Sequence, residues 1–398
     1  MTATDDMPWV EKHPFISFPT EPSRDLIRPM WALLGECSSK IEHVSGTPLD
    51  QPTAARLLSV FVAKGVHATT AIEGNTLSEE QVLKRVDQQE LNLPPSQQYL
   101  QQEIDNLLAA CNSIPTKIVE GRQQFRLVPD DLREFNRTIL GGLDLPDGVV
   151  PGEYRQYVVV VGDYRAPDAM HVNEMVSRMC RWLNEGQFAA EFGPKFVSPI
   201  LRAIMAHLYI AWIHPFGDGN GRTARVVELD ILLRAGVPLV CAHLLSDHYN
   251  RTRTNYYRAL SAARQHPHHF VEYAILGLRD ALVAQISMIR NLQVQTMWTN
   301  YVHSIFHTVD DHSGQARRRR EVALCLAKQE KPVLAEQITQ LSPKLAVMYS
   351  QRTARTLQRD LVALRRHNLV VHAPDGIRAN LELVHAFRPF AGKGAKPE

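Results

Sequence analysis

Apolar positions crowd most densely in two helical runs, Phe196 to Ile213 and Thr223 to Ala235, joined by a short polar, glycine-rich link. Pro215 disfavours helix at the residue before it, so the first helix is expected to stop at His214. Upstream, a helical pattern begins near Thr53 and closes over Thr69-Thr70-Ala71-Ile72-Glu73-Gly74-Asn75, with Gly74 placed as a C-cap. Between Val150 and Val172 the period changes. Pro151-Gly152-Glu153-Tyr154-Arg155 reads as a turn, and Tyr157-Val158-Val159-Val160-Val161-Gly162 is β-branched and extended. Asp163 and Pro167 bracket a return path, which predicts a short hairpin. Helical periodicity resumes near Thr252 and carries Tyr256 and Tyr257.

The tail has its own pattern. Glu321 to Lys328 reads as one helix and Leu334 to Leu341 as a second, ended by Pro343. Ser350 is placed as the cap of a third helix, Gln351 to about Arg366, with Leu357, Leu361 and Leu364 as its buried stripe. Leu369-Val370-Val371 and Ala379 to Val384, either side of Pro374-Asp375-Gly376, suggest a two-stranded wing. The expected fold class is therefore mainly α, with strand confined to a hairpin and a wing.

Composition narrows the setting. The chain has 398 residues, enough for two or three domains. Its five cysteines (Cys37, Cys111, Cys180, Cys241, Cys325) are scattered and odd in number, which argues for reduced thiols. The acidic, polar N-terminus is unlike a signal peptide, and the longest apolar run, Ala203 to Ile213, is interrupted by His207 and too short for a bilayer. A cytoplasmic protein without a membrane partner is expected. The net charge of +2 hides a division. From Gln315 to Glu398 there are 16 Lys and Arg against 7 Asp and Glu, while the preceding residues carry 28 against 35. Arg317-Arg318-Arg319-Arg320 marks the border, and a basic run of this kind is usually a solvated face.

The link His214-Pro215-Phe216-Gly217-Asp218-Gly219-Asn220-Gly221-Arg222-Thr223-Ala224-Arg225 concentrates the candidate chemistry. His214 can accept a proton near neutral pH. Asp218 is a hard oxygen ligand suited to Mg²⁺. The glycines let amides converge on an anion, and the restarting helix points its N-terminal N–H groups there. Arg222 and Arg225 lie three apart on one face and can fork onto phosphate oxygens. A plain interhelical turn is the alternative reading of Asp-Gly-Asn-Gly. Elsewhere the bland readings are a solvated Glu73, valines packing on helices, half-buried tyrosines, a packed His207, and a loop at His266-Pro267-His268-His269 rather than a metal site.

The link resembles the Fic motif, His-Pro-Phe-x-Asp-Gly-Asn-Gly-Arg-x-x-Arg, at every defined position. The resemblance implies a Fic-type helical bundle that transfers AMP from ATP to a Ser, Thr or Tyr hydroxyl of a target protein, and of itself. It implies His214 as the base and Asp218 as the Mg²⁺ ligand. Gly219, Asn220 and Gly221 would line the anion hole, Arg222 and Arg225 would bind the β- and γ-phosphates, and Thr223 and Ala224 would also belong to the nucleotide-binding set. Thr69, Glu73 and Gly74 resemble the family's inhibitory motif, in which the glutamate pairs with the second arginine, here Arg225. The hairpin around Tyr157 to Val161 resembles the flap that docks a target segment, and Tyr257 matches a tyrosine near the adenine. Ser350-Gln351-Arg352-Thr353-Ala354-Arg355-Thr356-Leu357, with its flanking helices and wing, resembles a winged helix-turn-helix common in bacterial regulators, which implies DNA as a partner.

These resemblances suggest an N-terminal helical region at 1–115, a Fic core at 128–284, a connector at 285–308 and a winged domain at 315–390. Two other functions are open at this point. A hydrolase could remove AMP from a modified protein, with Glu73 activating water. A DNA-binding regulator could use the core as a nucleotide sensor, and a homodimer would suit paired half-sites.

Overall fold

A computed structural model describes residues 7–19, 30–119, 126–185, 193–307 and 313–384. The first residues of the acidic N-terminus (1–6) and the end of the expected winged domain (385–390) lie outside the described residues. The chain divides into two compact units, Met1–Ala284 and Gln285–Glu398.

The first unit begins with α1, Trp31–Ser45. Helix α2, Gln51–Ile72, starts where the Asp50 side chain accepts from the Thr53 amide, and Glu73 is its C-cap. Helix α3, Glu79–Val86, opens on a capping box between Ser78 and Gln81. Helices α4, Gln98–Val119, and α5, Pro129–Leu140, precede a two-stranded antiparallel hairpin of β1, Val160–Val161, and β2, Tyr164–Arg165. Then follow α6, Val172–Asn184, α7, Val197–Ile213, α8, Asn220–Arg234, α9, Leu239–Ala242, α10, Leu244–Arg251, and α11, Arg253–Ala262. Helix α12, His268–His307, supplies residues to the cores of both units. Among the described residues no helix is long and apolar enough to cross a membrane.

Helix α7 is apolar nearly all round and packs along α8. Helix α8 is also packed by α4 and α5, so its charged side chains are buried and must be paired internally. Asp230 accepts from Arg234 Nε at 2.8 Å. Burial pushes the Asp230 carboxyl up to about 6, with Arg234 pulling the other way. Glu228 accepts from the Tyr249 hydroxyl at 2.9 Å, and its other oxygen lies 3.4 Å from His207 Nδ1. His207 is fully buried in the core, as its place on α7 suggested. His266, His268 and His269 cluster ring on ring before and within the first turn of α12, and no trio of metal-ligating side chains occurs among the described residues.

Helix α2 approaches His243 at Gly65, where an added Cβ would overlap the buried imidazole. Gly65→Ala is therefore expected to destabilise the protein by about 1–3 kcal/mol, the range for overpacking a tight contact. A thermal denaturation scan that showed no fall in Tm would contradict this packing.

The second unit contains α13, Gly314–Leu326, α14, Pro343–Tyr349, α15, Ala354–Arg366, and an antiparallel hairpin of β3, Val370–Ala373, and β4, Gly376–Ala379. Its core includes Trp298, Val322, Leu345, Leu361 and Leu364. Several boundaries differ from expectation. Helix α13 starts earlier, because the Ser313 hydroxyl accepts from the Ala316 amide. Residues 334–341 form a 3-10 segment, Ala335–Gln340, and not an α-helix. Pro343 opens α14 instead of ending a helix: Ser342 caps Leu345 N, and proline at the first turn lacks only an N–H that needs no partner. Ser350 lies at the C-terminal end of α14, and α15 starts at Ala354 after Thr353. The turn at Pro374 and Asp375 pairs Ala373 with Gly376, so β4 directly follows it and Leu381–Val384 is a 3-10 turn. Gly376 has φ 144° and backs onto the Val333 backbone, a close approach that excludes a side chain.

The arginine run of the sequence lies within α13. Arg318 Nε and Arg319 Nε donate to the two oxygens of buried Asp360 at 3.2 and 2.9 Å, and the Tyr349 hydroxyl adds a third bond. Two of the four arginines thus clamp α13 to α15.

Candidate active site

Helix α7 stops because His214 takes a left-handed conformation, φ 50°, with its amide on Ile210 O. That geometry turns the chain toward Pro215 and is held from outside the motif. Arg155, almost fully buried, donates Nε to His214 O at 2.8 Å and Nη2 to Pro167 O at 2.6 Å and Ile213 O at 3.3 Å. Its Nη1 donates to Tyr157 O, so one guanidinium joins the hairpin's base to the start of the loop. Asn136 does the same for the far side, donating to Asp218 O at 2.9 Å and accepting from the Gly152 amide. Within the loop, Asn220 accepts from Phe216 N and donates to Phe216 O, both at 2.9 Å. Its side chain closes the loop across Phe216. Gly219, at φ 75°, then starts α8.

These constraints bring part of the expected set together around a cavity of about 400 Å³, whose lining does not include Asp218, Arg222 or Arg225. His214, Asn220, Gly221 and Ala224 line one side, with Glu73, the hairpin tip and Tyr257 on others. Burial lowers the His214 imidazole to about 4 from its ordinary 6.5; Arg155 acts in the same direction, while the Ala211 backbone, Glu73 and Asp218 oppose. The ring is neutral near pH 7 and able to take a proton.

Glu73 reaches the same cavity from the end of α2. Its Oε1 accepts from Arg225 Nη2 at 2.5 Å, and Thr69 O accepts from the same nitrogen at 3.0 Å. Burial pushes the Glu73 carboxyl up, but Arg225, with Arg222 and Arg253 behind it, outweighs burial and holds it below the usual carboxylate range. Gly74, at φ 105°, releases the chain immediately afterwards. Gly221 lets the Glu73 carboxylate approach closely, and a Cβ there would force that carboxylate to shift. Arg222 Nη2 lies 3.3 Å from Asp218 Oδ1, which also accepts from the Gly219 amide at 2.5 Å. Nε of Arg222 and Nε of Arg225 are buried without a hydrogen-bond partner, donors that an anion would satisfy.

Tyr256 and Tyr257 divide. Tyr256 is buried, with its hydroxyl 2.9 Å from His207 Nε2 and 3.5 Å from Arg225 Nη1. Tyr257 is 47% exposed on the cavity wall. Thr223 is buried with its hydroxyl 3.3 Å from Asn136 Nδ2, so it supports the loop. On the hairpin, Val158, Val160 and Val161 are exposed, so they do not simply pack on helices. Arg264 pairs with Asp163 at the hairpin tip, 3.0 Å, on the cavity rim.

Residues 126–232 match the family model described as Fic/DOC family. The chain contains a Fic/DOC family domain. Curated relatives of this Fic domain include protein adenylyltransferase fic-1 of Caenorhabditis briggsae, 32% identical over 198 residues, covering 50% of this chain and 36% of the relative. Protein adenylyltransferase Fic of Culex quinquefasciatus is 32% identical over 200 residues, covering 50% and 36%. The chain thus spans about a third of the length of these relatives. Among solved structures, a Fic family protein from Desulfovibrio desulfuricans G20 aligns with a TM-score of 0.54 and 21% identity over 91% of this chain and 98% of that one. Fic-1 (aa134 - 508) from C. elegans aligns with a TM-score of 0.51 and 24% identity over 67% and 72%. Both show a shared Fic fold.

Arg155 and Asn136, which hold the loop, and Glu103, which contacts Arg222, carried no sequence signal. Each lies far along the chain from the loop that it touches. Arg155 stood in the turn before the hairpin, where a surface arginine would look the same.

Proposed function

We propose that the chain is a protein adenylyltransferase held in a resting state by Glu73. The observation that carries this reading is the Glu73–Arg225 pair beside a neutral, cavity-lining His214. His214 takes the proton of a target hydroxyl as its oxygen attacks the α-phosphorus of ATP. The bond from that phosphorus to the bridging oxygen breaks, and pyrophosphate leaves against Arg222 and Arg225. Asp218 fits a Mg²⁺ ion as one hard oxygen ligand, with phosphate and water completing the shell. When bound, the ion would neutralise charge on the phosphates. While Glu73 accepts from Arg225, the γ-phosphate lacks its partner. Incubation with α-labelled ATP, Mg²⁺ and a lysate tests the reading; a protein that labels neither itself nor any target, even as Glu73→Gly, would not be an adenylyltransferase.

The exposed hairpin edge supports target docking by strand addition near Tyr157 to Val161. All five cysteines are free and buried, in keeping with a cytoplasmic setting. Removal of AMP by water activated at Glu73 is the reverse reading, supported by Glu73 lining the same cavity as His214.

A DNA-binding role for the winged domain is supported by Arg352, Arg355, Arg359, Arg365 and Arg366. These are exposed along α15 and its approach, with no acidic partner among the described residues. Helix α15 would enter the major groove, and paired half-sites would bring two copies together. Replacing both Arg355 and Arg359 by Ala is expected to reduce the salt-dependence slope of DNA binding by about 2 if both contact phosphate. A slope unchanged in titrations from low to high salt would remove both from the interface.

A further inference from the structure

Both arginines of the motif are held by acids from outside it. Arg222, with only 6% of its side chain exposed, donates Nη1 to Glu103 Oε1 at 3.2 Å. Glu103 lies on α4, and its other oxygen accepts from Asn75 Nδ2 at 2.8 Å. Asn75 is buried and stands two residues after Glu73. The same amide nitrogen donates to Leu100 O at 2.9 Å, and Asn75 Oδ1 accepts from Leu77 N at 3.0 Å. Its backbone N–H donates to Thr70 O, in the last turn of α2. Asn75 therefore fastens the segment that bears Glu73 to the carboxylate that engages Arg222.

We propose that Glu103 is a second inhibitory carboxylate, holding Arg222 as Glu73 holds Arg225, with Asn75 coupling the two. The assignment rests on Arg222 and Arg225 being ligands of nucleotide phosphate. A phosphate oxygen and a carboxylate compete for the same guanidinium donors. Phosphate arriving at Arg222 draws it from Glu103, which loosens Asn75 and with it the turn behind Glu73. Nucleotide binding at one arginine thereby weakens the restraint on the other.

Isothermal titration of the full chain with ATP and Mg²⁺ tests this. Glu103→Gln keeps the shape and an oxygen for Asn75 but removes the competing charge, so the affinity is expected to tighten about tenfold. Asn75→Ala is expected to shift affinity in the same direction. In a Glu73→Gly background the gain from Glu103→Gln is expected to shrink, because the coupled partner is gone. A purely structural Glu103 would give a lower Tm without tighter binding. Unchanged or weaker affinity in a folded Glu103→Gln protein overturns the proposal, and equal gains in both backgrounds overturn the coupling through Asn75. Because affinity is the quantity read, absent AMP labelling in the same samples counts against the transferase reading, separately from Glu103.

Discussion

Glu73→Gly is expected to raise AMP labelling by about ten- to a hundredfold, the range set by a charge-assisted contact of 1.5–3 kcal/mol that no longer competes with substrate. Glu73 Oε1 sits 2.5 Å from Arg225 Nη2, and Arg225 is buried with Tyr256 and Thr69 as its other polar neighbours. Removing the carboxylate leaves a buried guanidinium with donors to fill, which the proposed reading assigns to a nucleotide phosphate. The substitution is mild for the fold, because Glu73 is a C-cap at the helix end, with φ −88°. Labelling with α-³²P-ATP, normalised to folded protein, checks it. A rate equal to that of the unaltered chain would mean that the ion pair does not restrain the reaction.

His214→Ala is expected to lower labelling by about 10²–10⁴-fold in the Glu73→Gly background, the range for losing a general base. The same residue sets the pH dependence. Its folded pKa is lowered to about 4 from 6.5, so the ring stays neutral as pH falls through 6.5 and is lost as a base only toward 4. The acid limb of kcat/KM, which reports the free enzyme, is therefore expected well below 6.5. Glu73 raises the His214 pKa, so its removal shifts that limb further toward acid, not toward neutral. Stability follows the same sign. Between 6.5 and about 4 the unfolded chain binds protons that His214 and His243 refuse in the fold, so stability falls as pH drops through that window. An acid limb near 6.5 in the Glu73→Gly protein would show that another group limits the rate.

The legible parts of the fold were those governed by neighbours in sequence. Pro215 stood just beyond the end of α7 at Ile213, and Gly219, with φ 75°, marked the turn that opens α8. The tail was less legible because serine and proline signals point both ways. Pro343 opened a helix that it was expected to close, since Ser342 was free to cap. Ser350 followed one helix without starting the next, and α15 began after Thr353. A hydroxyl caps whichever amide the packed helices bring near, and that choice depends on the core behind Leu345 and Leu361.

By itself, the sequence determined the helices α7 and α8, the loop between them, and the identity of the groups in it. Hydrophobic period, a proline and three glycines act over a few residues, so they can be read in order. Only the tertiary structure decided what those groups face. Burial kept the His214 imidazole neutral, Arg155 and Asn136 fixed the loop from distant positions, and α2 and α4 delivered Glu73 and Glu103 to the two arginines. Charge pairing acts through space over a few ångströms, and residues separated by more than a hundred positions become neighbours only when the helices pack.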